Sequence, residues 1–352
     1  MIEVTTYSGI MGIKLTDIVV KRQLWENELR GKVVAFDTYN MLYQFISSIR
    51  TSEGYPLSNS DGVVISHLKG ILSRTSNLMN IGVRPIMVFD GKPHELKKGT
   101  LDQRRERKEK AIKDWERAIE VGDLATARTK AMQTSHLTEE MVEQTVTLLR
   151  YLGIPTVMAP SDGEGQASYM CKKGDAYAVS SQDFDSLLFG CPLLVRNLGV
   201  TGRRKQPGKN SYITVLPEVI SLEDSLINMG VSRKQLVDMA VMIGTDFNEG
   251  VNGIGPKKAL KLIKELGDLE TVTKVKRFPL LEYQEVRKIF LEPSVTDDYS
   301  IDLKKPDEDK VLGMLVGDLG FGEEGVRKNL DLIARSDNGE VENEQSSLDI
   351  FL

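Results

Sequence analysis

The 352-residue sequence predicts an α/β protein with a mostly parallel central sheet and helices on both of its faces. Three observations carry that prediction. Short runs rich in Val, Ile, Phe and Ala recur along the chain, and longer segments with apolar residues at three- and four-residue spacing separate them. A hydrophobic content of 40% in a chain of this length suffices for a sizeable buried core.

In chain order the apolar runs are KVVAF at 32–36, RPIMVF at 84–89, IPTVMA at 154–159 and AYAVSS at 176–181, each of strand length. Between them, SHLKGILSRTSNLMNIG from residue 66 and TEEMVEQTVTLLRYLG from residue 138 carry the one-sided spacing of amphipathic helices. Alternation of strand and helix implies parallel pairing. Further on, LVDMAVMIGTDFNEG at 236–250 is a helical pattern stopped by Gly244, and TGRRKQPGKN at 201–210 reads as an exposed basic hairpin loop.

The composition excludes several kinds of chemistry. Only Cys171 and Cys191 are present, at no zinc-ligand spacing, and they read as reduced core residues. His67, His94 and His136 are too scattered for a histidine-rich metal site or a serine-type triad. The net charge of -5 argues against a generic nucleic-acid coat, so local charge matters more than the total. No apolar run approaches the roughly 20 residues of a membrane span, and MIEVTTYSGI lacks the regions of a signal peptide. A soluble, cytoplasmic chain that does not enter a membrane is therefore expected.

All four predicted strands end in acid. Asp37 follows the first and Asp90 the second; Asp162 and Glu164 follow the third, Asp183 and Asp185 the fourth. For any one of them, capping the next helix is the simpler explanation. It does not explain why every strand does so, or why two of the sets are paired. Two carboxylates roughly 5 Å apart at an effective dielectric near 20 repel by about 3 kcal/mol, so a cluster of them calls for a cation. In an open parallel sheet the carboxyl ends share one edge, and ligands bind there. Oxygen donors with no imidazole or thiolate beside them suit Mg²⁺ or Mn²⁺, and two such ions about 3.5 to 4 Å apart would clamp a phosphodiester. Asp246, beyond Gly244, reads on its own as a turn residue.

Positive charge lies beside this edge. The basic segment 91–118 starts directly after Asp90, which brings Lys97 and Arg104 within reach of a scissile phosphate; a solvated helix face is the competing explanation. GVNGIGPKKALKLIKELG at 250–267 combines Gly253 and Gly255 with Pro256, Lys257 and Lys258, a turn suited to phosphate-backbone contact, or else a plain helix connection. Tyr43, six positions after Asp37, suits either base stacking or core packing. Arg50 and Arg74 are further candidate phosphate contacts, although a lone arginine on a helix is usually solvated. The polar acidic tail from 336 ends in Leu348, Ile350, Phe351 and Leu352, apolar residues that a disordered segment needs only for docking on a partner.

VFDGKPHELK, SSQDFDSLLFG, IGTDF and GIGPKKA, in this order, resemble the structure-specific 5′ nucleases, and among these the archaeal flap endonuclease family, from MGIKLTDIV at residue 11 to the end. The resemblance implies a PIN-like 5′ nuclease fold with a helical arch and a helix–two-turn–helix element. It implies metal ligands at Asp37, Asp90, Asp162, Glu164, Asp183, Asp185 and Asp246, which turns Asp246 from turn residue into ligand, with two Mg²⁺ ions per site and Mn²⁺ able to substitute. It implies a catalytic pair at Lys97 and Arg104, and DNA contacts at Gly12, Tyr43, Arg50, Arg74, Gly253, Gly255, Lys257 and Lys258, with K⁺ at the helix–two-turn–helix. QSSLDIFL resembles a sliding-clamp-binding box anchored by Gln345, Leu348, Phe351 and Leu352. Three features depart from the family pattern: Asp162 stands where glutamate is usual, ten residues precede Met11 where the family normally begins, and the box ends in leucine rather than a second aromatic.

The implied activity is two-metal hydrolysis that removes 5′ flaps in replication, including Okazaki fragment maturation, and in repair, together with 5′-3′ exonuclease action, by a monomer. A bubble or gap repair nuclease is the alternative within the class, and a non-catalytic DNA-binding partner of the sliding clamp the alternative outside it. The expected division is an extension at 1–10, a nuclease region at 11–110, an arch continuation at 111–137, a second nuclease region with the helix–two-turn–helix at 138–270, a helical region at 271–335 and a tail at 336–352.

Overall fold

The computed structural model describes residue 13 and residues 15–51, 54–199, 202–205, 212–279 and 282–337. Its strands are β1 (Lys21–Gln23), β2 (Val33–Asp37), β3 (Arg84–Phe89), β4 (Thr156–Met158), β5 (Ala178–Ser180), β6 (Leu193–Arg196), β7 (Gly202–Lys205), β8 (Tyr212–Val215) and β9 (Glu218–Ser221). The four apolar runs of the sequence are β2, β3, β4 and β5.

Seven strands form one sheet in the order β1-β9-β6-β5-β2-β3-β4. The stretch from β6 to β4 is parallel throughout, with Val34 level with Ala178 on one side and Pro85 on the other. Antiparallel β9 and β1 extend it beyond β6. From β2 the chain moves outward through β3 and β4, then returns to the opposite side of β2 as β5 and β6. The winding therefore reverses between β2 and β5, where an open α/β sheet leaves a crevice at its carboxyl edge. The basic hairpin pairs β7 with β8 outside this sheet.

Helices α1 (Thr38–Ser48), α2 (Ser66–Asn80), α3 (Lys98–Glu120), α4 (Leu124–Ala131), α5 (Glu139–Tyr151), α6 (Gly163–Lys173) and α7 (Asp185–Leu188) fill the first half of the chain. The second half holds α8 (Leu222–Met229), α9 (Arg233–Ile243), α10 (Pro256–Leu266), α11 (Leu269–Lys276), α12 (Tyr283–Leu291), α13 (Glu308–Leu312) and α14 (Glu323–Asp337). Side chains of β2 alternate between faces, as the period of two requires. Val34 and Phe36 join the core formed with Leu68 and Ile71 of α2, Leu148 of α5 and Ile333 of α14. Ala35 packs on the other face with Ala167 and Met170 of α6. That face also buries Cys171 and Cys191, both free thiols. A third cluster joins Phe189, Leu236 and Phe290 where α9 to α12 meet the sheet. Among the described residues no helix is long and apolar enough to cross a membrane.

The α9 to α12 layer depends on one buried charge. Asp238 on α9 is fully buried and meets Arg287 of α12, whose Nε donates to Asp238 Oδ1 at 2.8 Å and whose Nη1 donates to Glu270 Oε1 of α11 at 2.6 Å. Removing one member strands the other charge in a low-dielectric interior. Arg287→Ala is expected to destabilise the protein by about 3–5 kcal/mol, read from the urea midpoint against Glu270→Gln, whose loss is smaller because that carboxylate is a third exposed.

Candidate active site

The carboxyl edge between β2 and β5 gathers the acids. Asp37 closes β2 and caps α1, accepting from Asn40 N at 3.1 Å. The capping explanation thus holds for Asp37, and it does not exclude a second role. Asp162 stands at the start of α6 yet makes no side-chain cap bond; its Oδ2 instead accepts from Lys97 Nζ at 2.6 Å. Asp90 Oδ1 accepts from Gly163 N at 2.6 Å, which ties the end of β3 to the start of α6. Asp183 Oδ2 accepts from Asn40 Nδ2 at 2.9 Å, and Asp185 Oδ1 from Ile13 N at 3.0 Å.

Three residues that the sequence alone does not single out complete the basin. Ser181 Oγ donates to Glu164 Oε1 at 2.6 Å and lies 3.3 Å from Asp37 Oδ2, bridging β5, α6 and β2. Ser186 Oγ donates to the same Glu164 oxygen at 3.1 Å. Asn40 holds both Asp37 and Asp183. The only hint of them in the sequence is adjacency: each lies within three positions of an acid already identified.

The electrostatics show that these groups share one field. Burial, then the charges of Asp90, Asp183 and Asp162, push the Asp37 carboxyl well above the usual range. Burial and Asp162 raise Asp90 to about 6, with Asp246 adding to the effect. Burial raises Glu164, reinforced by Asp37, Asp185 and Asp183. Burial raises Asp185, reinforced by Asp246 and Asp183. Lys97 is lowered by burial but raised more by Asp162 and Asp90, so it stays a cation, its Nζ 5.1 Å from the centre of the Phe247 ring. All seven predicted acids, Asp246 included, therefore act on one another.

Among the described residues no three His, Cys, Asp or Glu side chains already close on a single point at metal-ligand spacing. The carboxylates instead meet hydroxyls, amides and Lys97. The donor set still fits hard divalent cations, since it is all oxygen, and such a cluster is tolerable as full anions only beside positive charge.

The other predicted residues fall in several places. Tyr43 lies on α1 with 39% of its surface exposed. Gly253 adopts φ +77°, a left-handed turn that favours glycine. Gly255 precedes Pro256, the first residue of α10, and a Cβ there would meet nothing within 4 Å, so no internal packing calls for a glycine. Lys257 is exposed, 3.8 Å from Asp17, and Lys258 Nζ donates to Gly253 O at 2.9 Å. Arg104 lies on α3, with its side chain outside the described residues; Gly12, Gln345, Leu348, Phe351 and Leu352 lie outside them altogether.

Arg50 and Arg74, the further candidate phosphate contacts, both have guanidinium partners within the protein. Arg50 donates to Ile46 O, Gly54 O and Ser135 Oγ, joining α1 to the foot of α5. Arg74 lies over the Phe45 ring and donates to Leu198 O, and burial lowers it to about 10.

A mostly parallel sheet with acids gathered at its switch point and at the exit of α9, and with Lys97 bound to one of them, fits a nuclease of the XPG class. The model for the XPG N-terminal domain matches residues 10–111 and that for the XPG I-region residues 153–246. The flap endonuclease 1 of Aeropyrum pernix is 45% identical over 350 residues, covering 97% of this chain and 99% of its own; that of Methanococcoides burtonii is 47% identical over 96% and 99%. The solved structure of flap endonuclease-1 from Methanococcus jannaschii superimposes with a TM-score of 0.73 at 40% identity, covering 94% of this chain and all of that one. The Rad2 catalytic core in complex with DNA substrate, at 22% identity and a TM-score of 0.66, shares the fold. The chain belongs to the flap endonuclease 1 family: it is a structure-specific endonuclease of DNA replication and repair that hydrolyses phosphodiester bonds, in a family that depends on divalent metal.

Gly91 is where β3 and β4 hand their acids together. Its N donates to Ser161 O at 2.7 Å, and a Cβ would lie 2.0 Å from Ala159 O. Gly91→Ala must push the two strand ends apart. It is expected to cost about 1–3 kcal/mol of stability and, by displacing Asp90 from Asp162, to slow single-turnover flap cleavage about 100-fold.

Proposed function

We propose that Asp37, Asp90, Asp162, Glu164, Asp183, Asp185 and Asp246 hold two Mg²⁺ ions, for which Mn²⁺ substitutes, and that Lys97 and Arg104 complete the catalytic set for cutting 5′ flaps, with 5′-3′ exonuclease action at the same site. The observation that carries this reading is the shared electrostatic field of acids drawn from four strand ends and the exit of α9. When bound, the divalent ions supply charge neutralisation and polarisation at the phosphate. Asn40, Ser181 and Ser186 keep the carboxylates oriented, and Lys97, held over Phe247, offers its ammonium to charge developing on the phosphate oxygens. A non-catalytic binder has no use for this much buried negative charge beside DNA phosphate.

The same proposal extends to substrate and partners. Tyr43 stacks on a base near the scissile phosphate, and the turn with Gly253, Gly255, Lys257 and Lys258 grips duplex through its backbone, the open space at Gly255 leaving room for close approach. K⁺ at this turn would share its carbonyls with Lys258. The tail at 336–352, through Gln345, Leu348, Phe351 and Leu352, docks on a sliding clamp, and the enzyme works as a monomer on nucleoid DNA in the cytoplasm, Okazaki fragments included. The division at 1–10, 11–110, 111–137, 138–270, 271–335 and 336–352 is a functional one, since the two nuclease regions contribute strands to one sheet.

Asp183→Ala is expected to lower flap cleavage in Mg²⁺ by more than about 100-fold while flap binding, measured by anisotropy, stays within a few-fold; equal loss of both would make Asp183 structural. Chelation of divalent ions should reproduce the variant's phenotype in the parent protein. Lys257→Glu should weaken duplex binding and flatten the slope of log affinity against log salt by about 1. An unchanged slope would remove this turn from the DNA interface.

A further inference from the structure

A segment without regular structure, residues 292–307, runs between α12 and α13 behind the site. It lies outside both matched regions, 10–111 and 153–246, and takes no part in the chemistry above. Its attachment to α6 is unusually specific. Gln166, fully buried in the first turn of α6, makes a reciprocal pair of bonds with one residue of the segment: Nε2 donates to Thr296 O at 2.9 Å, and Thr296 N donates to Oε1 at 2.8 Å. A Cβ on Gly165 would sit 3.3 Å from Pro293 Cβ, so the segment also lies flat against the helix there. One turn further along α6, Tyr169 Oη donates to Asp297 at 2.9 Å, and a turn beyond that Lys173 Nζ reaches the same carboxylate at 2.8 Å.

That helix carries Glu164 in its first turn and is preceded by Asp162, whose O accepts from Gln166 N at 3.0 Å. A buried amide so placed fixes both the rotation of α6 and its advance toward the sheet edge, and a fraction of an ångström there is the difference between acids that face β5 and acids that miss it. The opposite end of the segment is fixed independently, with Lys304 N donating to Gly153 O and Asp307 N to Tyr151 O, both at 2.8 Å. We propose that residues 293–299 act as a strap keyed by Gln166, and that Gln166 is a positioning residue for cleavage, setting Asp162 and Glu164 against the acids of β5 without touching substrate. The proposal rests on the reading of the carboxylates as metal ligands.

Two variants of the full-length protein test it: Gln166→Met, which removes both bonds at similar volume, and the surface double variant Tyr169→Phe/Asp297→Ala, which loosens the second attachment and leaves the core intact. Mn²⁺ binding without DNA is measured by electron paramagnetic resonance of the free ion at a temperature where each variant is folded, with kcat and KM on a flap substrate alongside. Gln166→Met is expected to weaken Mn²⁺ binding and lower kcat about tenfold, with KM within twofold; the double variant should shift both in the same direction by about two- to threefold. Unchanged Mn²⁺ affinity and kcat, with only the melting temperature lowered, would reduce the strap to a structural prop and overturn the proposal. If Gln166→Met fails to fold, the double variant alone decides by the same criterion. Asp183→Ala separates the two levels of inference: if it binds Mn²⁺ as the parent does, the carboxylate reading falls and the strap proposal falls with it.

Discussion

The repulsion among seven carboxylates at one rim of the sheet is the constraint around which the rest is arranged. Burial and mutual charge raise Asp37, Glu164 and Asp185 well above the usual carboxylate range, and Asp90 to about 6. A protein assembled only for stability would avoid such a cluster, because each buried charge loses hydration that another anion cannot replace. Here the cost is offset by a surrounding scaffold of donors: Asn40, Ser181, Ser186, the amides of Ile13 and Gly163, and the ammonium of Lys97. These contacts come from α1, the residue after β5, α6, α7, the N-terminal segment and the approach to α3, so the basin also ties together parts of the chain that are distant in sequence.

The scaffold works because it is rigid in the right places. Parallel strands place the acids at equivalent heights, and the reversal of winding between β2 and β5 opens the crevice they line. Behind them, Phe290 of α12 packs 4.9 Å from Phe189 and 5.3 Å from Phe247, which in turn lies beneath Lys97. Arg233 completes this backing by donating to Leu188 O and Phe290 O, joining the end of α7 to the end of α12. The region after α9 thus backs the same site that it flanks with the lysine-bearing turn of α10.

Much of this was legible in the sequence, for identifiable reasons. The strands β2 to β5 are apolar because helices cover both faces of the sheet there, and an acid after each is visible without any structure. Asp246 was not, because a lone acid after a glycine looks like any turn; only the family resemblance raised it. The strand β1, KRQ, is fully exposed and carries no apolar signal. The segment 292–307 has no periodicity, since its order comes from side chains about 130 positions away, such as Gln166. For Arg50 and Arg74, residue type reveals that a guanidinium must be satisfied, whereas only the fold reveals the carbonyl oxygens that each one meets within the chain.

Lys97 is the residue immediately before α3, with no loop between them, and α3 runs for 23 residues. At about 1.5 Å per residue that is a rod of roughly 35 Å whose foot is the ammonium-bearing position. Because the rod and its foot are continuous, the direction of α3 and the placement of the Lys97 ammonium against Asp162 are set together. The reach of this helix and the aim of one ammonium are thus properties of a single rigid element rather than of two parts joined by a loop.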